Sequence, residues 1–179
     1  MIIGSVRKDR FGPTVANWLL SQLKEHDAFE VDVIDLADFH LPADLGGGGD
    51  SAEFLTRVDR ADAFVVVTPE YNHGYPGGLK TAIDTGKEEW KAKAVAFASY
   101  GGMAGGLRSV EQLRPVFAEL HAVTIRATVS FHWAHSLFDS DGRLLQPEKA
   151  EAAVDGMLNQ LEWWARMLQS GRRNGDYCD

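Results

Sequence analysis

The stretch Ala63-Phe64-Val65-Val66-Val67-Thr68-Pro69-Glu70-Tyr71-Asn72 decides the fold. Residues 63–68 are small, aromatic or β-branched with almost no polar break, which is typical of a strand buried on both faces. The residues after them are polar and conformationally restricted, and they indicate a turn. A strand of this kind belongs to a parallel sheet that is covered by helices on both sides.

Two other apolar runs also end in glycine-rich turns. Residues 1–3 precede Gly4-Ser5-Val6-Arg7-Lys8-Asp9-Arg10-Phe11-Gly12, and residues 94–99 precede Tyr100-Gly101-Gly102-Met103-Ala104-Gly105-Gly106. In a parallel α/β sheet, the loops after the strands all emerge at the edge where ligands bind. The three turns therefore predict one composite site for a phosphorylated, flat and partly apolar ligand.

The order of apolar patterns along the chain predicts the fold class. Strand and helix alternate five times, which predicts an α/β doubly wound parallel sheet in the flavodoxin-like order 2-1-3-4-5, with helices on both faces. The chain should form one domain over residues 1–179, with a flexible tail from about residue 171. Predicted strands cover residues 1–3, 29–36, 63–68, 94–99 and 123–131, and Ser51 is expected to cap the second helix.

Composition excludes several classes of protein. The formal net charge is −8, from 18 basic and 26 acidic side chains, which argues against a nucleic-acid surface. No membrane span or signal peptide is recognisable, so we expect a cytoplasmic protein. The single Cys178 cannot form an internal disulfide, and His132-Trp133-Ala134-His135 lacks a third ligand. We therefore expect no metal site.

The first turn has the chemistry of a phosphate site. Gly4 permits a sharp bend, and the Ser5 hydroxyl can donate to a phosphate oxygen. Arg7 and Arg10 would add charged donors beside the positive end of the following helix. A tight turn with solvated arginines remains the alternative. Neither the G-x-G-x-x-G dinucleotide fingerprint nor a Walker loop is present, which points away from NAD as the primary cofactor and from NTP hydrolysis.

The second and third turns suit a heteroaromatic ring. Backbone amides and Asn72 can bond a ring edge, while aromatic residues cover its face. His73 is either a wall contact or a general base, although no partner carboxylate is identifiable. Glycines at 101, 102, 105 and 106 leave amides bare that can stabilise negative charge on a ring oxygen, or they form a flexible connection.

At these residues the chain resembles the NADPH-dependent FMN reductase family, from Ile2 to roughly Thr128. The resemblance lies in three ordered motifs. They are Gly4-Ser5-x-Arg7, then Pro69-Glu70-Tyr71-Asn72 with Pro76-x-x-Leu79-Lys80-x-Ala82-Ile83-Asp84, and then Ser99-Tyr100-Gly101-Gly102 with Gly105-Gly106-Leu107-Arg108. One departure is Arg10-Phe11-Gly12, where many members carry Ser-Phe-Asn, so the chain has an extra positive charge there.

The resemblance implies FMN as cofactor and NAD(P)H as cosubstrate, with a ping-pong hydride transfer and no dedicated catalytic acid or base. The resemblance does not distinguish NADPH from NADH as the cosubstrate. The implied acceptor is a quinone, free flavin, azo compound or metal oxyanion, and the implied assembly is a homodimer or homotetramer. The implied cofactor-binding residues are Ser5, Arg7, Arg10, Phe11 and Gly12 at the phosphate, and Pro69, Glu70, Tyr71, Asn72, His73, Ser99, Tyr100, Gly101, Gly102 and Gly105 around the ring.

Two other functions remain possible from the residues alone. A flavodoxin-like electron carrier, or a flavin-binding module without NAD(P)H turnover, would share the same fold. Such carriers tend to be acidic around the flavin, whereas Arg7, Lys8 and Arg10 make the first turn basic, which favours the enzyme. A non-redox domain for another phosphorylated ligand would leave the second and third turns without a purpose.

Overall fold

Five parallel strands form a single sheet in the computed structural model, which describes residues 1–175 and 177. The strands are β1 (Ile2–Ile3), β2 (Ile34–Asp35), β3 (Ala63–Pro69), β4 (Ala94–Tyr100) and β5 (Val123–Phe131). They lie in the order β2-β1-β3-β4-β5, and every neighbouring pair is parallel. The predicted fold class and strand order are confirmed.

Five α-helices connect the strands or follow them. They are α1 (Gly12–Glu25), α2 (Ser51–Arg60), α3 (Gly77–Thr85), α4 (Leu107–Glu119) and α5 (Glu148–Asn174). In α5, Arg172 donates hydrogen bonds to the Ala92 carbonyl oxygen at 2.5 Å and to Asp62 at 2.6 Å. The helix thus continues past residue 171, where the sequence predicted the flexible tail to begin. Cys178 lies outside the described residues.

The sheet separates two hydrophobic cores. Val65 and Val67 of β3 point to one face, where they pack with apolar residues of α1 and α5. Phe64 and Val66 point to the other face, where they pack with residues of α2, α3 and α4. Because side chains of a strand alternate between faces, both faces of β3 are covered by helices, as the uninterrupted apolar run predicted.

The second strand is shorter than predicted. Only Ile34 and Asp35 pair with β1, although the sequence predicted a strand over residues 29–36. A 3₁₀ turn, Leu36–Asp38, begins at once, and its first free amide, that of Ala37, donates to the Asp35 carboxylate at 3.1 Å. The Asp35 cap thus marks the end of the strand, next to the predicted end at residue 36. The shortening lies at the start of the strand, where residues 29–33 do not pair with β1.

Ser51 does not cap α2, so that prediction was wrong. It is the first residue of the helix, and its hydroxyl donates to the Gly48 carbonyl oxygen at 2.7 Å. Asp50 occupies the N-cap position instead, and its carboxylate accepts a hydrogen bond from the His40 amide at 2.7 Å. These bonds close the base of the glycine-rich loop that precedes the helix.

Lys93 is a buried cation between α2 and the sheet. Its residue surface is 4% exposed, and its Nζ donates to the carbonyl oxygens of Val58 at 2.9 Å and Asp59 at 2.6 Å. These carbonyls belong to the last turn of α2, the negative end of the helix dipole. Burial nevertheless lowers the pKa of Lys93 to about 8, because removing the ammonium from water costs more than the nearby carboxylates recover.

Lys93 should make stability depend on pH in the alkaline range. Its pKa is about 8 in the folded chain, whereas the ordinary pKa of a lysine is 10.5. The unfolded chain therefore holds more protons between these values, and stability should rise with pH across this window by about 3 kcal/mol. Urea unfolding of the wild type and Lys93→Met at several pH values measures this. A difference between the two proteins that stays constant from pH 8 to pH 10.5 would contradict it.

Candidate functional site at the carboxyl edge of the sheet

The first two turns meet across the crevice between β1 and β3. Ser5 is fully buried, and its hydroxyl lies 2.5 Å from the Tyr71 hydroxyl. The guanidinium of Arg7 lies over the Tyr71 ring, 4.9 Å from its centroid. The Gly4 amide donates to the Val67 carbonyl oxygen at 2.9 Å and continues the β1–β3 pairing into the turn. The first two turns of the predicted composite site therefore face each other.

The backbone of the first turn has the features of an anion site. Among the described residues, the amides of Ser5, Val6 and Arg7 donate to no backbone oxygen. The α1 helix begins next to them without a side-chain cap and without an acidic residue in its first turn. Free amides and the positive end of a helix dipole together favour a phosphate.

The neighbouring Tyr100 side chain requires a glycine at position 12, at the start of α1. A Cβ atom at this position would lie 2.9 Å from the Tyr100 hydroxyl oxygen and 3.2 Å from Ile3 Cγ2. Any larger residue would displace the tyrosine or the strand. Gly12 thus lets Tyr100 reach the floor of the first turn.

Tyr100 is a neutral phenol whose side chain lies beneath the first turn, against Gly12. It is 5% exposed, and burial raises the pKa of its hydroxyl above the ordinary value, with a smaller contribution from Tyr71. In the described part of the chain, the Tyr100 hydroxyl and the Arg10 Nε are buried without a hydrogen-bond partner. Orphaned polar atoms beside free amides fit a site that an anionic group completes.

The side chains of Arg10 and Phe11 both have partners within the chain. Arg10 forms an ion pair with Asp35 at the end of β2, so that its charge is partly offset before any ligand arrives. The Phe11 ring packs into an aromatic cluster, 4.3 Å from the His135 ring and 5.6 Å from the Phe138 ring between centroids. The backbone of Phe11, rather than its ring, is therefore available to a ligand.

The second turn is a tight hairpin. Tyr71 and Gly74 exchange backbone hydrogen bonds of 2.8 and 3.0 Å, while Asn72 and His73 both have positive φ, at 50° and 69°. Two consecutive positive φ values are those of a type I′ turn. Gln112 of α4 donates to the His73 carbonyl oxygen at 2.8 Å, which fixes the hairpin against the helix. Both side chains at the tip, Asn72 and His73, are exposed.

Glu70 joins the second turn to the start of α4. Its carboxylate pairs with the Arg108 guanidinium at 2.6 Å and accepts a hydrogen bond from the Arg108 amide at 3.3 Å. The carboxylate side chain is only 10% exposed. Glu70 therefore acts as an α4 cap, and its main chain, which donates to the Tyr100 carbonyl oxygen at 3.2 Å, borders the site.

The third turn is held in one conformation. The Gly105 carbonyl oxygen accepts hydrogen bonds from Ser99 Oγ at 2.8 Å and Ser130 Oγ at 2.7 Å, and the Gly101 amide donates to Phe131 at 3.1 Å. Gly105 and Gly106 have φ values of 59° and 86°, which only glycine adopts at little cost. These bonds favour a fixed backbone surface over the flexible connection that the glycines alone also allowed.

Trp133 and Ser130 at the end of β5 also belong to this edge, although no motif in the sequence indicated either residue. Trp133 has φ 52° and ψ 44°, and its indole is 62% exposed beside Gly102. For a non-glycine residue this left-handed conformation costs about 1–2 kcal/mol. The predicted end of the fifth strand at residue 131 was a usable signal, because the following residues must emerge at the same edge.

No metal centre or membrane helix is apparent in the residues that the structure describes. Among them, no group of three or more His, Cys, Asp or Glu side chains is placed to hold a metal ion. No helix in the same part of the chain combines the length and the apolar character needed to cross a bilayer.

Two cavities lie away from this edge. One of about 640 Å³ opens at the amino ends of the strands, and its lining includes Met1, Phe29 and Leu161. Two ion pairs lie on its wall, Asp32 with Arg57 and Glu162 with Arg166. Another of about 500 Å³ lies between α1 and α5. The three turns line neither of these two cavities.

Replacing Gly106 by alanine should destabilise the protein. The new Cβ would lie 2.7 Å from Ser99 Cβ and 2.8 Å from the Tyr100 amide nitrogen, at a φ of 86°. We expect Gly106→Ala to lower the free energy of unfolding by about 1–3 kcal/mol. Gly77→Ala is the matched control, because a Cβ there has no heavy atom within 4 Å and the helix gains an alanine. Urea unfolding of both variants measures the effect, and equal stabilities would contradict it.

Comparisons with known proteins agree with the site. The family model for NADPH-dependent FMN reductase matches residues 1–136. An NAD(P)H-dependent FMN reductase of Schizosaccharomyces pombe is 36% identical over 59% of this chain, and the chain spans 58% of its length. An NAD(P)H:quinone oxidoreductase of Solanum tuberosum is 31% identical over 94% of this chain and 92% of its own.

A solved structure shows the same fold. FerB, a flavoenzyme NAD(P)H:(acceptor) oxidoreductase from Paracoccus denitrificans, superimposes with a TM-score of 0.75 at 21% identity, over 92% of this chain and 95% of its own. At that identity the likeness concerns the fold. Since the family model covers all four strand ends that build the site, the resemblance that the motifs indicated is confirmed: the chain belongs to the NADPH-dependent FMN reductase family.

Proposed function

We propose that the protein is an FMN-dependent NAD(P)H oxidoreductase that passes reducing equivalents to a quinone, free flavin or similar small acceptor. The observation that carries this proposal is the cleft between the first two turns, where unpaired amides, Ser5 and Arg7 converge beside the start of α1. Membership of the family and relatives named as FMN and quinone reductases support the same activity. They do not favour the electron carrier.

The first turn would hold the FMN phosphate. The amides of Ser5 to Arg7 and the N-terminus of α1 supply neutral donors, and Arg7 supplies the charge. Ser5 would exchange or share its present bond with Tyr71 for a phosphate oxygen. Arg10 would act mainly through its unpartnered Nε, since its Nη2 already contacts Asp35.

The second and third turns would border the flavin ring. Residues 69–73 would lie along one side through the main chain of Pro69 and Glu70 and the hairpin beyond them. On the other side, the backbone at Gly101, Gly102 and Gly105 would approach the ring, held in place by Ser99. Fixed amides facing a ring oxygen need no reorganisation when negative charge develops there.

When bound, FMN supplies the redox chemistry, because it takes a hydride from NAD(P)H and releases two electrons to the acceptor. The chain's own contribution is to bind the flavin, to orient it and to exclude water. We assign no side chain as catalytic acid or base. Tyr100 stays a neutral phenol at physiological pH, and His73 stands exposed at a hairpin tip with no carboxylate paired to it among the described residues.

Location and assembly are part of the same proposal. We place the protein in the cytoplasm, where NAD(P)H is available to it, and expect a homodimer or homotetramer, as the family resemblance implies. Cell fractionation and sedimentation equilibrium of the holoprotein test these two points. Azo compounds and metal oxyanions remain acceptors to be assayed beside quinones and free flavin.

An anaerobic visible spectrum tests the activity directly. Protein reconstituted with FMN should retain flavin absorption after gel filtration, and NADPH should bleach it within the mixing time or shortly after. Reoxidation by an added quinone should restore the bands. Flavin that stays oxidised with both NADPH and NADH would move the function to an electron carrier, and protein without retained flavin would refute the proposal.

Removing the Arg7 charge should weaken the binding of FMN more than the binding of riboflavin. A charged hydrogen bond to phosphate contributes about 1.5–3 kcal/mol, so Arg7→Gln should raise the Kd for FMN roughly 10- to 100-fold. Riboflavin lacks the phosphate, and its Kd should stay within about twofold. Lys8→Gln, which removes the same charge from an exposed neighbour, is the control. Fluorescence titration measures all four constants, and equal losses for the two flavins would argue against a phosphate at the first turn.

A further inference from the structure

An exposed apolar patch borders the third turn. Met103 in the turn is 68% exposed, Leu107 at the start of α4 is 40% exposed, and Trp133 after β5 is 62% exposed. All three lie at the carboxyl edge of the sheet, on loops or termini that follow β4 and β5. Exposed apolar side chains that cluster beside a cleft mark a binding surface more often than scattered ones do.

Hydrogen bonds to the third turn fix the position of Trp133. The Trp133 amide donates to the Gly102 carbonyl oxygen at 2.9 Å, and the Ala134 amide donates to Gly101 at 3.0 Å. His132 Nδ1 lies 2.8 Å from the Met103 carbonyl oxygen and donates to it. Three bonds thus fasten the segment after β5 to the third turn, and they fix Trp133 in its left-handed conformation.

This arrangement has no explanation in core packing. The strained backbone at Trp133 gains little buried area in return, since the residue is 62% exposed. The indole instead lies along the third turn, where a Cβ on Gly102 would be 3.8 Å from its Cζ3 atom. Strain that the surrounding bonds maintain without a packing benefit is characteristic of functional positions.

We propose that Trp133 and Met103 form the platform on which a flat aromatic electron acceptor, a quinone, stacks at the mouth of the site. The proposal rests on the proposed function and names the acceptor class for that same site. An indole face and a thioether attract a planar π-system, through stacking and sulfur–aromatic contacts. They offer nothing specific to a compact metal oxyanion, which needs charged donors.

The test compares Trp133→Gly with Trp133→Phe in the FMN-loaded protein. Glycine removes the indole and suits the positive φ, so the variant should fold, and phenylalanine restores an aromatic face. Trp163→Ala is the control, because Trp163 is 56% exposed on α5, where its neighbours Leu161, Glu162 and Ala165 line the cavity at the opposite edge. Menadione is the flat probe, and ferricyanide is the compact one.

Trp133→Gly should selectively weaken the binding of menadione. Equilibrium dialysis against the oxidised protein should give a Kd raised roughly tenfold, with a similar rise in KM for menadione. The KM values for ferricyanide and NADPH and the Kd for FMN should change less than twofold. The melting temperature should not fall. Trp133→Phe should recover most of the menadione affinity, and Trp163→Ala should behave as the wild type.

Any one of several results would overturn the proposal. They are an unchanged menadione Kd, an equal loss with both acceptors, a rise in the KM for NADPH alone, and a smaller oligomer in sedimentation, which would make Trp133 a subunit contact. A fall in melting temperature for Trp133→Gly would likewise assign the indole a structural role. If the wild type oxidises NADPH with neither acceptor, the proposed function fails, and dialysis still tests the platform by itself.

Discussion

Burial of β3 and β4 on both faces is the constraint on which the rest of the structure depends. All seven residues of β4 and six of the seven in β3 are buried. Side chains of these strands therefore have no room for ligand chemistry, and polar groups can appear only where the strands end. Parallel pairing then collects those ends at one edge, so that three turns distant in sequence form one cleft.

The cleft is preorganised by bonds between turns. Ser5 with Tyr71 joins the first turn to the second, and Glu70 with Arg108 joins the second to α4. Two serine hydroxyls on one carbonyl, that of Gly105, fix the third turn to β4 and β5. Each bond uses a side chain that lies at a strand end or a helix start. The loops are therefore restrained by groups that are fixed to the sheet.

The charges at the first turn are divided between structure and ligand. Arg10 is paired with Asp35, whereas Arg7 lies over an aromatic ring that leaves its guanidinium edge free for hydrogen bonds. The substitution of Arg10 for the family's usual serine therefore adds less positive charge to the site than its formal count suggests. Tyr100, buried and neutral, provides a polar floor without adding charge.

The sequence by itself determined the sheet order, the two-sided core and the turns that carry the chemistry. These features are local, since an apolar run such as residues 63–68 is readable without its neighbours. Tertiary structure decided the rest. Arg10 turns to Asp35, Phe11 joins the aromatic cluster and Tyr100 passes under the first turn because of partners that are remote in sequence. Trp133 reaches the site for the same reason: its position depends on carbonyls of Gly101 and Gly102, and a pattern of residue types carries no information about such long-range bonds.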